Sequence, residues 1–534
     1  MLPNVMTHKF SQVPRVSMPR SIFQRDFTCK TSFDTDYIIP IYSDEVLPGD
    51  TFVTDMSAVV RMNSPLVKPL LDDLYLETYF FYIPNRLIWT NWEEFMGQVD
   101  DISAGVYDPT DYTIPTLDET KAPLSTTGFT ANSLFDYLGF PILQTGIDDL
   151  VAFYSRGYNL VYNSFFRDQN LTDVITVDTG NGPDDLSASA YVLRKACKHH
   201  DYFTSALPWQ QKGTAVSVPL GTDAPIYGKN MDFDDTEDTG NMAQIRDAYG
   251  SGGALMRLKT SGSNLFGNDS ASGTGEMRTD LSQATSSTIT DLREAVAIQR
   301  IYELHARSGS RYNELILAEF GVVCPDYRVQ RPEFLGGNRI PINVHVTPCT
   351  SEDATQKLGG LAGYGIGVDT RSGYTKSFTE HGIVLGVAVV RANLTYTEGV
   401  ERRFSRSTKW DYYTPLLANL SEQAILNKEI YADGGASDDS VFGYIGRYDE
   451  YRFAFSKITG SLRSTAGTNI DEYHLGQEFG SLPTLNTTFM ESTTPLDRCI
   501  AVPGEHHFVA DFFFKQKCVR PMPTYAIPGV GARL

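Results

Sequence analysis

From Thr51 to Met62 apolar and polar residues alternate in a Val- and Thr-rich stretch, and this period of two predicts a strand. Leu74 to Ile83 predicts a second, strongly aromatic strand, stopped by Pro84. Gly382–Tyr396 and Asp511–Val519 read as further strands. Val151–Arg167 changes period: Val151, Tyr154, Tyr158, Val161 and Phe165 recur every three or four residues, as on one face of a helix. A second helix is expected from Ile289 to about Arg307. Asp291 and Glu294 lie in its first turn, where the helix dipole favours anions. A third is expected from Tyr312 to Phe320, ending at Gly321.

Between these elements the pattern breaks down. Residues 1–35 are basic, contain Pro3, Pro14 and Pro19, and have no helical period, so they read as an extended arm. Residues 100–130 are rich in Asp, Thr and Pro and read as loop. Residues 222–287 are rich in Gly, Ser, Thr, Asp and Asn and poor in apolar residues, which predicts a long exposed insertion. Gly359–Gly373 reads as a glycine-rich loop. Helices and strands do not alternate regularly, which argues against a doubly wound sheet. Strands far apart in sequence, joined by long excursions, suit a mainly β sandwich of Greek-key type with loop and helical insertions.

A chain of 534 residues, 41% hydrophobic and 12% aromatic, has ample material for a core. Its net charge of −20 argues against a surface coated in nucleic acid, but the charge is unevenly spread. Lys9, Arg15, Arg20, Arg25 and Lys30 face a single acid, Asp26, within the first thirty residues. Lys515, Lys517 and Arg520 give the other end a similar excess. These eight residues are the candidates for contact with nucleic-acid phosphates. The insertion at 222–287 carries ten acids against five bases and would be repelled by such phosphates. The six cysteines have no C-x-x-C spacing, so neither a disulfide framework nor a zinc site is expected. The start Met1-Leu2-Pro3-Asn4 lacks the pattern of a signal peptide, and the longest apolar run, Ile383–Val390, is too short to span a bilayer.

Chemistry-bearing motifs are few. Cys197-Lys198-His199-His200-Asp201 is the one cluster that suggests a metal or a nucleophile–base pair. Neighbouring residues point in different directions on any regular element, so adjacency makes no dyad. Gly363-Tyr364-Gly365-Ile366-Gly367 lacks the lysine and hydroxyl residue of a phosphate loop. The acids at Asp232–Asp238 lack EF-hand spacing. No catalytic residue, metal site or cofactor is expected.

An ordered series of motifs carries a family resemblance. It begins with His8-Lys9-Phe10-Ser11 and Arg20-Ser21-x-Phe23-x-Arg25, then Ile39-Pro40-Ile41-Tyr42 and Asp44-Glu45-Val46-Leu47-Pro48-Gly49-Asp50-Thr51. Phe80-Phe81-Tyr82-Ile83-Pro84-Asn85-Arg86-Leu87-Ile88-Trp89 follows, with Phe166-Arg167-Asp168-Gln169-Asn170-Leu171 and His200-Asp201-Tyr202-Phe203-Thr204-Ser205-Ala206-Leu207-Pro208-Trp209 in the middle. Arg331-Pro332-Glu333-Phe334-Leu335-Gly336-Gly337, Glu429-Ile430-Tyr431, Phe442-Gly443-Tyr444 and Arg520-Pro521-Met522-Pro523 complete it. Together these resemble the major capsid proteins of the gokushovirus branch of the Microviridae, small icosahedral single-stranded DNA bacteriophages. The ending Gly529–Leu534 departs from the acidic, aromatic ending of many relatives, and residues 222–287 match nothing in the family pattern.

The resemblance implies an eight-stranded antiparallel jelly roll with large insertions, a basic arm over 1–35 and a capsid domain over 36–534. It implies a structural protein, sixty copies of which form a T=1 shell around circular single-stranded DNA. The implied partners are that DNA, internal scaffolding and DNA pilot proteins, and a host receptor met by the 222–287 insertion. The implied setting is the virion, assembled in the bacterial cytoplasm. The rival readings are a secreted β-rich glycan-active enzyme and a surface adhesin, and both need an export signal.

Overall fold

The alternation at Thr51–Met62 has a direct structural counterpart: every second residue of this strand is buried and its neighbours are largely exposed. In this computed structural model the described residues are 19–96, 112–186, 191–214, 289–308, 318, 330–351, 358–420 and 422–525, with four short strands between 226 and 279. Eight strands form the body of the fold. They are β1 (Phe27–Phe33), β2 (Ile39–Val46), β3 (Thr51–Met62), β4 (Leu74–Pro84), β5 (Glu333–Pro348), β6 (Leu361–Ser377), β7 (Gly382–Ala392) and β8 (Phe508–Arg520).

Their pairing is nested and antiparallel throughout. β1 pairs with β8, β2 with β7, β3 with β6 and β4 with β5. Two further ladders, β3 with β8 and β4 with β7, complete the orders β1-β8-β3-β6 and β2-β7-β4-β5. This is the jelly-roll topology: a long antiparallel ribbon rolled so that successive strands alternate between two four-stranded sheets, except at the ribbon's turn, where β4 and β5 are neighbours in one sheet. The far half of β5, Asn343–Pro348, turns to pair with β6 and so joins the two sheets along one edge. A short outer strand, Ser21–Gln24, extends the first sheet by pairing with Lys517–Arg520 of β8.

The main core fills the space between the sheets. Phe52, Met56 and Val60 of β3 and Phe508, Phe512 and Phe514 of β8 meet Leu76 and Phe80 of β4 and Val384, Ala388 and Val390 of β7. The sheets differ in what lies outside them. The outer face of the β2-β7-β4-β5 sheet is covered by the excursion after β4. Phe153, Tyr158 and Val161 of helix α1 (Phe153–Val161) and Trp89 pack there on Phe81, Ile83, Leu385 and Val387. Gly157 permits this approach, because a Cβ there would lie 2.8 Å from Ile383 Cδ1. Every residue of β7 is consequently buried, which accounts for its unbroken apolar run. The expected helix over 151–167 ends its α form at Val161 and continues as a π turn, Tyr162–Phe166.

One expectation is corrected. The glycine-rich stretch expected as a loop lies in β6, a 17-residue strand. Gly363, Gly365 and Gly367 fall on its buried face, with Tyr364 and Val368 on the exposed one. Glycine is needed there because the neighbouring strand β3 crowds it: a Cβ at Gly365 would lie 2.8 Å from Met62 Sδ, and one at Gly373 would lie 2.1 Å from the Thr54 carbonyl oxygen. Glycine thus marks close packing here rather than a flexible segment.

Met1–Trp209 with Val322–Leu534 form one compact unit and Gln210–Gly321 a second. Within the second, Ile226–Lys229 pairs with Glu276–Thr279, Met242–Ile245 pairs with Met256–Lys259, and helix α2 runs over Ile289–Ser308. The helix expected over Tyr312–Phe320 lies outside the described residues, position 318 excepted. Residues 112–130 carry no regular helix or strand, as expected of a loop.

Candidate assembly and nucleic-acid surfaces

The eight candidate phosphate-binding residues separate into three groups. Lys9 and Arg15 lie outside the described residues. Arg20, Arg25 and Arg520 are held within the chain. Arg25 makes a two-pronged ion pair with Asp44, at 2.7 and 3.0 Å. Arg520 donates to Asp50 Oδ2 at 3.0 Å and to the Glu45 carbonyl at 2.6 Å. Arg20 donates to the Gly49 carbonyl at 2.5 Å and to Thr51 Oγ1 at 2.7 Å. All three fasten the outer strands to the corner between β2 and β3. Planar guanidinium groups suit this role because each engages two acceptors at once.

Lys30, Lys515 and Lys517 form the third group and carry no ion pair among the described residues. Lys515 and Lys517 alternate with buried Phe514, Gln516 and Cys518, so both point to the outer side of the β1-β8-β3-β6 sheet. Lys30 is opposite Asp511, and Lys515 is opposite Asp55. With Arg61, this exposed face carries four bases against the two acids Asp55 and Asp511. Val59, Val368, Val509 and Phe513 are also exposed on it. The face is uncovered by its own unit and locally positive on a chain of net charge −20.

The Cys197–Asp201 cluster is structural. Cys197 Sγ accepts from the Asp168 N–H at 3.4 Å, and burial raises its pKa, the opposite of what a nucleophile needs. Lys198 is buried, donates to Gln477 Oε1 at 3.0 Å and sits 4.1 Å from the centre of the Phe489 ring; burial lowers its pKa to about 8. His199 meets Glu77 at 2.9 Å, and Asp201 accepts from the N–H groups of Phe203 and Thr204. Among the described residues, no group of three or more His, Cys, Asp or Glu side chains is placed to hold a metal ion, and no helix is long and apolar enough to cross a membrane.

Two buried charge centres escaped the motif analysis. Glu77, inside β4, bonds Arg391 of β7, Arg339 of β5 and His199. Burial alone raises its pKa, but the His199 hydrogen bond and the charge of Arg391 outweigh this and hold it at about 2. Arg156, inside α1, grips Asp184 with two nitrogens at 2.8 and 2.5 Å and gives its remaining donors to the carbonyls of Ile88 and Gly180. The available signal was a charged residue inside an otherwise buried pattern, which requires a partner. The sequence shows the need for a partner but does not identify it.

A jelly roll with large insertions over one sheet and the other left bare is an architecture found among viral capsid proteins. The chain belongs to the capsid protein (F protein) family, which it matches over residues 11–530. It is 42% identical to capsid protein VP1 of Bdellovibrio phage phiMH2K, across 98% of each chain. Identity is 37% with capsid protein VP1 of Chlamydia phage 1 and 32% with that of Spiroplasma virus 4, each across 99% of this chain and 98% of the relative. The protein is therefore a structural capsid protein of the virion. Neither the glycan-active enzyme nor the adhesin reading has support in these relationships.

Proposed function

We propose that sixty copies of this chain close into a T=1 icosahedral shell around circular single-stranded DNA, with the bare face of the β1-β8-β3-β6 sheet turned toward the DNA. The observation carrying this reading is the set of exposed lysines Lys30, Lys515 and Lys517, free of ion pairs among the described residues, on a face that its own unit leaves open. Lys9 and Arg15 precede the strand that borders this face and extend the same role. Phosphate contacts of this kind are independent of sequence and weaken with salt. Scaffolding and pilot proteins complete the assembly in the bacterial cytoplasm.

Changing Lys30, Lys515 and Lys517 together to alanine is expected to leave subunit stability within about 0.5 kcal/mol per site, since all three side chains are exposed. Purified particles should retain their size in negative stain but show a lower 260/280 nm absorbance ratio. Particles of wild-type DNA content from the triple variant would rule out this face as the DNA contact.

Residues 222–287 are proposed as the outward insertion that meets the host. Their acidic excess makes a position beside DNA unfavourable, and a tolerated insertion belongs at the surface. Limited proteolysis of intact particles should cut within 222–287 before the jelly roll. Protection of this segment alongside cleavage of residues 1–18 would reverse the assignment of outside and inside.

A further inference from the structure

Loop Trp410–Leu420 presents large apolar side chains that its own unit does not cover. Leu416 is 89% exposed, and Trp410, Tyr412, Tyr413 and Leu420 are each more than half exposed. Isolated exposed apolar residues are ordinary, but five within eleven positions of one loop are a local concentration of the kind that marks an interaction surface.

The loop is held in place before any partner arrives. Lys409–Asp411 and Pro415–Leu417 are two short 3-10 turns. Asp411 accepts from the N–H groups of Ser407 and Thr408 at 3.0 and 2.7 Å, so its carboxylate is satisfied within the loop. The Tyr448 hydroxyl donates to the Trp410 carbonyl at 3.2 Å, and the Tyr413 ring packs on Tyr448 and Tyr451. A surface fixed in this way binds without first losing conformational freedom.

Its charge pattern selects the partner. No Lys or Arg occurs from Trp410 to Asn427, and the cations nearest the patch, Lys409 over the Trp410 ring at 4.4 Å and Arg406 over the Tyr412 ring at 5.2 Å, sit at the start of the loop rather than around Leu416. Arg403, Lys409 and Arg452 are exposed at its margin. An apolar, aromatic centre with a charged rim is the anatomy of a protein–protein contact. We infer that Trp410–Leu420 is a contact between copies of this chain in the assembled shell, with Leu416 at its centre. A second copy is the occupant because a capsid protein must bury such surface on its neighbours to close a shell. The inference rests on the shell-forming reading above and adds to it the segment that makes the contact.

The test compares wild type, Leu416→Asp and Leu416→Met. Leu416→Asp should melt with the wild-type subunit, since the residue touches no core, yet lose closed particles by at least about tenfold, as expected of a carboxylate buried at an interface centre. Leu416→Met should assemble. A benzophenone amino acid at position 416 should photo-crosslink two capsid chains in particles and not in free subunits, a readout that holds even if the aspartate variant misfolds. Wild-type particle yield from Leu416→Asp, or crosslinks to DNA or to no second chain, would overturn the inference. If wild type itself forms no closed shells, the capsid assembly reading fails instead. Particles that form normally but no longer adsorb to cells would reassign the loop to host contact.

Discussion

Replacing Arg156 by alanine is expected to destabilise the unassembled subunit by about 3–5 kcal/mol, the cost of leaving a buried charge without its partner. The side chain is fully buried, and its guanidinium bonds are divided between Asp184 and two backbone carbonyls. Removing it strands the Asp184 carboxylate, to which only the Tyr191 hydroxyl would still donate among the described side chains. It also frees the carbonyls that tie the segment after β4 to α1. Because the stability of a folded domain is only about 5–15 kcal/mol, such a loss decides whether the subunit folds at all. Arg156→Lys should recover little, since an ammonium group cannot reproduce the two-pronged grip. The measurement is the urea midpoint of purified subunits. An alanine variant within about 1 kcal/mol of wild type would show that the pair is not what anchors α1.

The second large effect concerns Glu77 and acid. Its carboxyl is held at about 2, below the ordinary 4.5. A depressed folded-state value stabilises the native form at pH values above the unfolded one. That contribution is complete above about 4.5 and is lost as pH falls from 4.5 toward 2. A shift of this size corresponds to roughly 3 kcal/mol. Glu77→Gln should therefore lower stability at neutral pH and flatten its fall between about pH 4.5 and 2 relative to wild type. Urea midpoints at a series of pH values give the comparison. Parallel curves for wild type and Glu77→Gln across that window would refute the assignment. The expected consequence of the substitution is local: β4, β5, β7 and the Cys197–His200 segment meet at this one carboxylate.

The two centres show how far the linear pattern reaches. Glu77 interrupts the aromatic strand at Leu74–Ile83, and Arg391 ends the apolar run of β7; each is visible in the sequence as a charge inside a buried element. That the two bond each other across 314 positions follows only from the register of β4 against β7. The basic residues behave similarly. Their excess at both chain ends is plain, but Arg20, Arg25 and Arg520 are engaged at the β2–β3 corner while Lys30, Lys515 and Lys517 remain open. Local charge counts cannot distinguish the two groups, because the acceptors that capture the arginines, Asp44, Asp50, Thr51 and backbone carbonyls near the β2–β3 corner, are distant in sequence.

Along the chain alone, the strands whose side chains alternate were legible, with their boundaries at Pro84 and near Thr51. So were the helices at Phe153 and Ile289 and, through the ordered motifs, the capsid family. These are local or linear properties: period, punctuation and order are all carried by neighbouring residues. Packing between distant segments accounts for the rest. It made the glycines of β6 a packed strand, because the steric limit comes from Met62 and Thr54 on another strand. It made the Cys197–Asp201 cluster a structural one, because Glu77, Gln477 and Phe489 occupy its side chains. It also left one sheet covered by α1 and the other bare, because the excursion after β4 packs on only one of the two outer faces.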